Sequence, residues 1–357
     1  MQNMIPYKLR DWIPKHSICF EELSLNPRAI RVLEENQDKI NWPALSSNPE
    51  AIQLLEKNPG LIDWSFLSSN VAAIQLLEKH PGRIDWIRLS SNVAAVHILE
   101  KNLGQISWCE LARNRNPDAL KLFQIKYFNL FATNWNALCQ NPSAMSFIKM
   151  EWDSTNATNW FYKWFCCGLC NTKCLIRWTA LCANTNPAAI RLLEENPGRI
   201  DWSRLSSNPA AIRLLEENPE KIVWSNLSSN TAAIHLLENE IRTNPHNRIS
   251  WALLSKNPEA IHLLEKYPEY INWFNINENP NPEAMQLIEA HWKAHAYLPW
   301  YVLSGNPNIF TYDYEEMTKT KNQLHEELIR NMFHPLNVAK FEGWGFPIGL
   351  ENEDDDN

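Results

Sequence analysis

Tryptophan recurs in this chain at a fixed step. Trp42, Trp64, Trp86 and Trp108 stand 22 residues apart, and the same step separates Trp202 from Trp224 and Trp251 from Trp273. Each sits in nearly the same phrase: "IDWSFLSSNV" at 62–71, "IDWIRLSSNV" at 84–93 and "IDWSRLSSNP" at 200–209. Self-similarity at about 20–50 residues marks an array whose units cannot bury their apolar faces alone and stack on their neighbours instead. Steps of 27 residues, from Trp108 to Trp135, Trp224 to Trp251 and Trp273 to Trp300, read as loop insertions at unit junctions.

An asparagine gives an independent register: Asn26, Asn48, Asn70, Asn92, Asn116, Asn141, Asn186, Asn208, Asn230, Asn257, Asn281 and Asn306. The interval from Asn141 to Asn186 is about two periods, so a degenerate unit is expected within 150–178, making about thirteen units. Asn48 is a favoured helix N-cap, and Pro49 suits the first helical position because its missing N–H would have no partner there. Ala51, Ile52, Leu54 and Leu55 supply an apolar face, Glu56 and Lys57 face water, and Asn58 with Pro59 ends the helix. Asp63 then caps a second helix on which Trp64 and Leu67 share a face. Isolated helices this short are marginal in water, so stacking has to stabilise them. A leucine-rich strand-and-helix repeat has a similar period but ranks lower, because no alternating β-branched strand recurs. The expected fold is all-α: a solenoid of helix-turn-helix repeats over 23–300, an N-terminal cap at 1–22 and C-terminal capping helices at 301–350.

Composition agrees with a stiff array. There are 17 Trp and 22 Pro against 9 Gly, so turns are set by proline after a polar cap. Net charge is −8, of which "ENEDDDN" at 351–357, read as a disordered acidic tail, carries five negatives. The near-neutral remainder argues against a phosphate-binding surface. No secretory signal or membrane-length apolar run is visible, which points to a soluble protein that is not secreted, with reduced thiols.

The repeat "IDW..LSSNP.AI.LLE.NP", joined to "IFTYDYEEM…EELIRNMFHPLNVAKFEGWGF", resembles uncharacterised repeat proteins encoded by large nucleocytoplasmic DNA viruses of amoebae and algae. The resemblance implies a viral protein located in host cytoplasm or virion, and no reaction.

Four features remain as candidates for function. Cys166, Cys167, Cys170 and Cys174 hold one Cys-x2-Cys, with Cys182 following; they read as buried small residues with no bound metal, and zinc is the alternative, since it needs four such ligands. His291 and His295 stand at i and i+4, but Trp292 replaces the glutamate of a zinc-protease motif, so they read as surface residues. His334 beside Pro335 reads as part of the closing segment. The fourth is the variable position of Ala-Ile-x-Leu-Leu: Gln53, Gln75, His97, Arg191, Arg213, His235, His262 and Gln286. Its plainer reading is a solvated face paired internally, as Arg213 with Glu216; its functional reading is a polar strip on which a viral or host protein lies. No nucleotide loop, nucleophile elbow or kinase signature is present. The expectation is a non-enzymatic scaffold for protein partners, with a structural virion component and a single-stranded nucleic-acid binder as alternatives.

Overall fold

The computed structural model describes residues 6–124, 134–156, 176–244 and 248–332, which are mostly helical and in short segments. The chain divides into two compact units, residues 11–309 and a smaller unit joining the residues up to 10 with those from 310 onward. In the smaller unit, strand β1 (Tyr7–Leu9) pairs antiparallel with β2 (Phe310–Tyr312), and Tyr7 stacks on Tyr312 at 5.4 Å between ring centres. Asp313 N–H donates to Pro6 O at 2.9 Å, and a helix, Tyr314–Met332, follows.

In the larger unit residues 48–70 show how a repeat is built, although after Asn116 and Asn186 the α-helix starts at the proline itself, Pro117–Lys121 and Pro187–Glu194. Asn48 Oδ1 accepts from Glu50 N–H at 3.1 Å, and Pro49–Ala51 is a single 3-10 turn rather than the start of the α-helix, which runs Ile52–Lys57. Asn58 ends it, donating through Nδ2 to Leu54 O at 3.0 Å, and Pro59–Leu61 forms another 3-10 turn. Asp63 Oδ1 accepts from Ser65 and Phe66 N–H, each at 3.0 Å, and caps the Trp64–Ser69 helix. Leu67, Ala73 and Leu77 are fully buried.

Trp64 itself is only half-buried, as are Trp42, Trp86, Trp202 and Trp224. Leucine, alanine and serine fill the interior, while the indole lies at the edge under side chains of the following turn, as with His80 at 5.0 Å and the Arg83 guanidinium at 5.9 Å over Trp64. Such an edge indole packs against a flat or cationic neighbour, whereas Trp135, at the same position of its unit, is buried.

The units are stitched by two rows of hydrogen bonds, the first buried and the second part-buried. In the first, each asparagine reaches back to two carbonyls of the preceding unit: Asn48 Nδ2 to Ser24 O and Asn26 O, both 3.1 Å, and Asn70 Nδ2 to Ser46 O at 3.1 Å and Asn48 O at 2.9 Å. One amide thus caps its own helix through oxygen and ties down its neighbour through nitrogen. In the second row, the buried serine of Leu-Ser-Ser-Asn accepts the N–H that opens the next Trp helix: Asn41 N to Ser24, Asp63 N to Ser46, and Asp85 N to Ser68. Cys139 and Cys182 stand in this row, their Sγ accepting from Arg177 and Asp201 N–H, each at 3.3 Å.

Three rungs correct the sequence register. Where the chain reads Asn-x-Asn-Pro, the stitching amide is the earlier one, Asn114, Asn184 or Asn279, and Asn116, Asn186 and Asn281 only cap the helix while bonding to a different carbonyl. Each earlier Oδ1 accepts the N–H of the later residue at 2.9 Å, so the two-residue insertion forms a small turn within the joint. The row also passes directly from Asn141 to Asn184, whose Nδ2 donates to Cys139 O at 2.8 Å and Asn141 O at 3.1 Å. No rung intervenes for the degenerate unit expected within 150–178; residues 157–175 lie outside the described residues.

The row returns to its start. Asn26 Nδ2 donates to Ser304 O and Asn306 O, both at 3.1 Å, although 278 and 280 residues separate the partners. Cys19 N–H donates to Ser304 Oγ at 2.9 Å, repeating the serine row, and the Phe20–Leu23 helix packs on Trp300–Ser304. Arg28 Nη1 adds bonds to Pro307 O and Asn308 Oδ1, both at 3.2 Å. The first and last units cover each other at this joint. Leu23 and Leu303, at 0% and 1% exposure, are as buried as any interior leucine.

Candidate functional site

All eight residues of the variable strip, Gln53, Gln75, His97, Arg191, Arg213, His235, His262 and Gln286, are exposed. Four of them bind a carboxylate of the preceding unit. His97 Nε2 lies 2.9 Å from Glu78, His235 Nε2 2.8 Å from Glu216, His262 Nε2 2.7 Å from Glu238, and Arg213 pairs with Glu194. The expected bond from Arg213 to Glu216 is absent because Glu216 engages His235; within its own helix Arg213 meets Glu217 at 3.6 Å. The glutamate of Leu-Leu-Glu therefore points across the joint. In earlier units the same position is met by a lysine, Lys57 on Glu34 at 3.2 Å and Lys79 on Glu56 at 3.3 Å. Among the described residues the side chains of Gln53, Gln75, Arg191 and Gln286 make no such bond.

Sequence reasoning left out three equivalent positions, Arg31, Lys121 and Ser146, in units whose motif is less regular. Lys121 pairs with Asp118 at 2.7 Å, and its ammonium pKa is raised by that hydrogen bond and charge. The strip alternates sign at short range, so its cations are mostly neutralised by neighbouring carboxylates.

Of the two histidines read as surface residues, His295 is exposed and His291 is partly covered. It is half-buried on the Ala284–His295 helix, stacked on Trp273 at 3.7 Å and 10°, with His295 4.4 Å beyond it. Burial, and then the charge of His295, lower its pKa below that of a free imidazole. Among the described residues no three His, Cys, Asp or Glu side chains converge as metal ligands. Cys166, Cys167, Cys170, Cys174 and His334 lie outside the described residues, as does the tail at 351–357. Cys182 belongs to the serine row, where burial pushes its thiol pKa up.

One site had no counterpart in the sequence reading. A cavity of about 430 Å³ lies where the first and last units meet, with Glu22, Asn277, Glu278, Tyr301 and Gly305 in its wall. Asn277 occupies the buried serine position; its Nδ2 donates to Trp273 O at 2.5 Å, and its Oδ1, fully buried, has no partner among the described residues. Where that position is Ser or Cys it accepts the N–H of the residue before the next Trp helix, and here that residue is Pro299, which has none. The signal was present, since proline, which has no N–H, stands where Asp, Asn, Ser, Arg or Val precedes other repeat tryptophans, but only the serine row gives it meaning.

Comparisons with protein-family models, with curated proteins and with solved structures find no match to this chain. Among the described residues no helix is long and apolar enough to cross a membrane.

Proposed function

We propose that the chain is a non-enzymatic repeat scaffold, in which residues 11–309 form an α-solenoid closed end to end that binds protein partners through its exposed strip. One observation carries the reading: buried positions repeat as Leu, Ala, Ser and Asn, whereas the strip varies among Gln, His, Arg, Lys and Ser. Repeated stacking accounts for the former and leaves the latter free to differ. Among the described residues the asparagine row has twelve rungs. The glutamates that face the strip's cations favour a mixed-charge protein surface over a nucleic-acid backbone, whose affinity depends on unneutralised Lys and Arg. The resemblance to repeat proteins of large DNA viruses supports a viral protein working in host cytoplasm or virion.

The test is affinity purification of the tagged full-length protein from infected cells, beside a variant with Arg191, Arg213, His235 and His262 all changed to Ala. The proposal expects a partner retained in stoichiometric amount by the wild type and lost from the variant, whose unfolding midpoint stays close to wild type. A partner retained equally by both, or by neither, overturns it.

A further inference from the structure

We propose that the joint of the first and last units is an interface for a second copy of this chain, the two copies exchanging their residues from Leu298 onward. Of the two units at the joint, the last, Trp300–Ile309, is the less tethered. No peptide link joins it to the first unit, which holds it through Asn26 Nδ2 on Ser304 O and Asn306 O, Cys19 N–H on Ser304 Oγ, and Arg28 Nη1 on Pro307 O and Asn308 Oδ1. On its other side the asparagine row is intact, with Asn306 Nδ2 on Asn277 O at 2.8 Å and Asn279 O at 3.0 Å. The serine-row bond is missing there, because Pro299 has no N–H to give. The cavity of about 430 Å³ opens against the same unit, at Tyr301, Val302 and Gly305, so fewer packed atoms must part when it leaves.

Its link to the rest of the chain is a strained turn. The Ala284–His295 helix ends at Ala296 with φ 53° and ψ 27°, and among the described residues no other non-glycine has a positive φ. The left-handed region crowds a Cβ, and glycine is the usual residue at such a helix end. Ala296 and Tyr297 are both exposed, so no buried contact holds the turn in place. When the chain runs straight on at Ala296, that residue returns to right-handed backbone, where alanine is the best helix former. The straight chain carries Leu298 and Trp300 away from their own array and into the same place in another. There every bond named above re-forms between copies. So does the antiparallel pairing of β1 with β2, since Tyr7–Leu9 stays with the first unit and Phe310–Tyr312 travels with the last. Exchange thus alters the hinge and keeps the joints, which makes it a low-cost route to a dimer, and a short hinge under strain invites it.

The experiment refolds the full-length protein from urea at about 1 μM and at about 200 μM, and measures the mass of the products by size exclusion with light scattering. Three variants accompany the wild type. Ala296→Gly removes the strain of the turn, and deletion of Ala296 with Tyr297 leaves too little chain to turn back. The third carries Lys8→Cys with Thr311→Cys, at facing positions of β1 and β2. The proposal expects a wild-type dimer that grows with refolding concentration. Its ratio to monomer falls at least about fivefold in Ala296→Gly, where the left-handed turn no longer crowds a Cβ. The deletion gives dimer at both concentrations. Oxidation of the cysteine-pair dimer joins two chains on a non-reducing gel, where the wild-type dimer stays unjoined, and oxidation of its monomer closes one chain on itself. A wild type that stays monomeric at about 200 μM overturns the proposal, whatever the deletion does. So does a dimer whose cysteine pair closes only within chains, since such copies associate without exchange, and so does an Ala296→Gly dimer fraction equal to that of the wild type.

Discussion

Replacing one stitching asparagine by aspartate separates a closed array from an open one. Asn70 and Asn26 make the same three bonds: Oδ1 accepts from Ala72 or Arg28 N–H at 3.0 Å, and Nδ2 donates to Ser46 O and Asn48 O, or to Ser304 O and Asn306 O. Aspartate caps a helix about as well as asparagine, so the first bond survives. The two donated bonds do not, and at about 1 kcal/mol each their loss costs about 2 kcal/mol. A carboxylate, buried against two carbonyl oxygens, also has its folded-state pKa raised; a rise of one to two units adds about 1.4–2.7 kcal/mol at neutral pH. Asn70→Asp should therefore cost about 3–5 kcal/mol, read from urea unfolding followed by the fluorescence of the 17 tryptophans. Because the folded chain holds this proton more tightly than the unfolded one, the charge penalty is absent below about pH 4 and grows as pH rises toward the folded-state pKa. Asn26→Asp should cost the same and show the same pH dependence, since its partners are equally buried. In an open array the Asn26 amide would face water, and its replacement would cost well under about 1 kcal/mol. That result, beside a full penalty at Asn70, would refute closure.

Other outcomes follow from the same geometry. Ser68→Ala removes the acceptor of a buried N–H and should lower stability by about 1–3 kcal/mol, whereas Cys182→Ser, which installs the residue used elsewhere in the row, should change it by less than about 1 kcal/mol; both are read by urea unfolding. His291, with its pKa lowered, binds fewer protons folded than unfolded, so its contribution is complete above about pH 6.5 and is lost as pH falls below that value. His291→Phe, which keeps the stack on Trp273, should flatten the acid-side loss when unfolding midpoints are compared across that range. Maleimide labelling of the native protein, mapped by peptide mass, should modify exposed Cys109 quickly and buried Cys139 and Cys182 only after unfolding.

Much of the unit was legible because it is local. Asn48 and Pro49 declare a helix start, Asp63 caps the next helix, and the apolar spacing from Ala51 to Leu55 names the buried face. The 3-10 turn at Pro49–Ala51 was missed because cap and proline signals mark a helix start without fixing its hydrogen-bond pattern. The stitching was read by half: asparagine shows its capping oxygen in sequence, but a second use of its nitrogen depends on which carbonyls stack above it. The same blindness placed the register on Asn116, Asn186 and Asn281. The contact of Asn26 with Ser304 and Asn306 was hidden because it joins residues 278 and 280 apart and depends on how the intervening joints are oriented. One sign was available: Leu23, Ser24 and Asn26 keep the interior motif, with none of the polar substitutions a free terminal face would need. The cavity was illegible for a related reason, as Glu22 and Gly305 lie 283 residues apart and meet only when the ends do.

The bond from Asn26 to Ser304 also sets a schedule for synthesis. At about 5–20 residues per second, the 278 residues between them take roughly 14–56 s to emerge from a ribosome. For that interval the first unit has an upper neighbour but no lower one, so Leu23 and the Asn26 amide wait uncovered. A helper that shields the nascent first unit, or a second chain that borrows it, would act in that window and lose its foothold once Ser304 arrives.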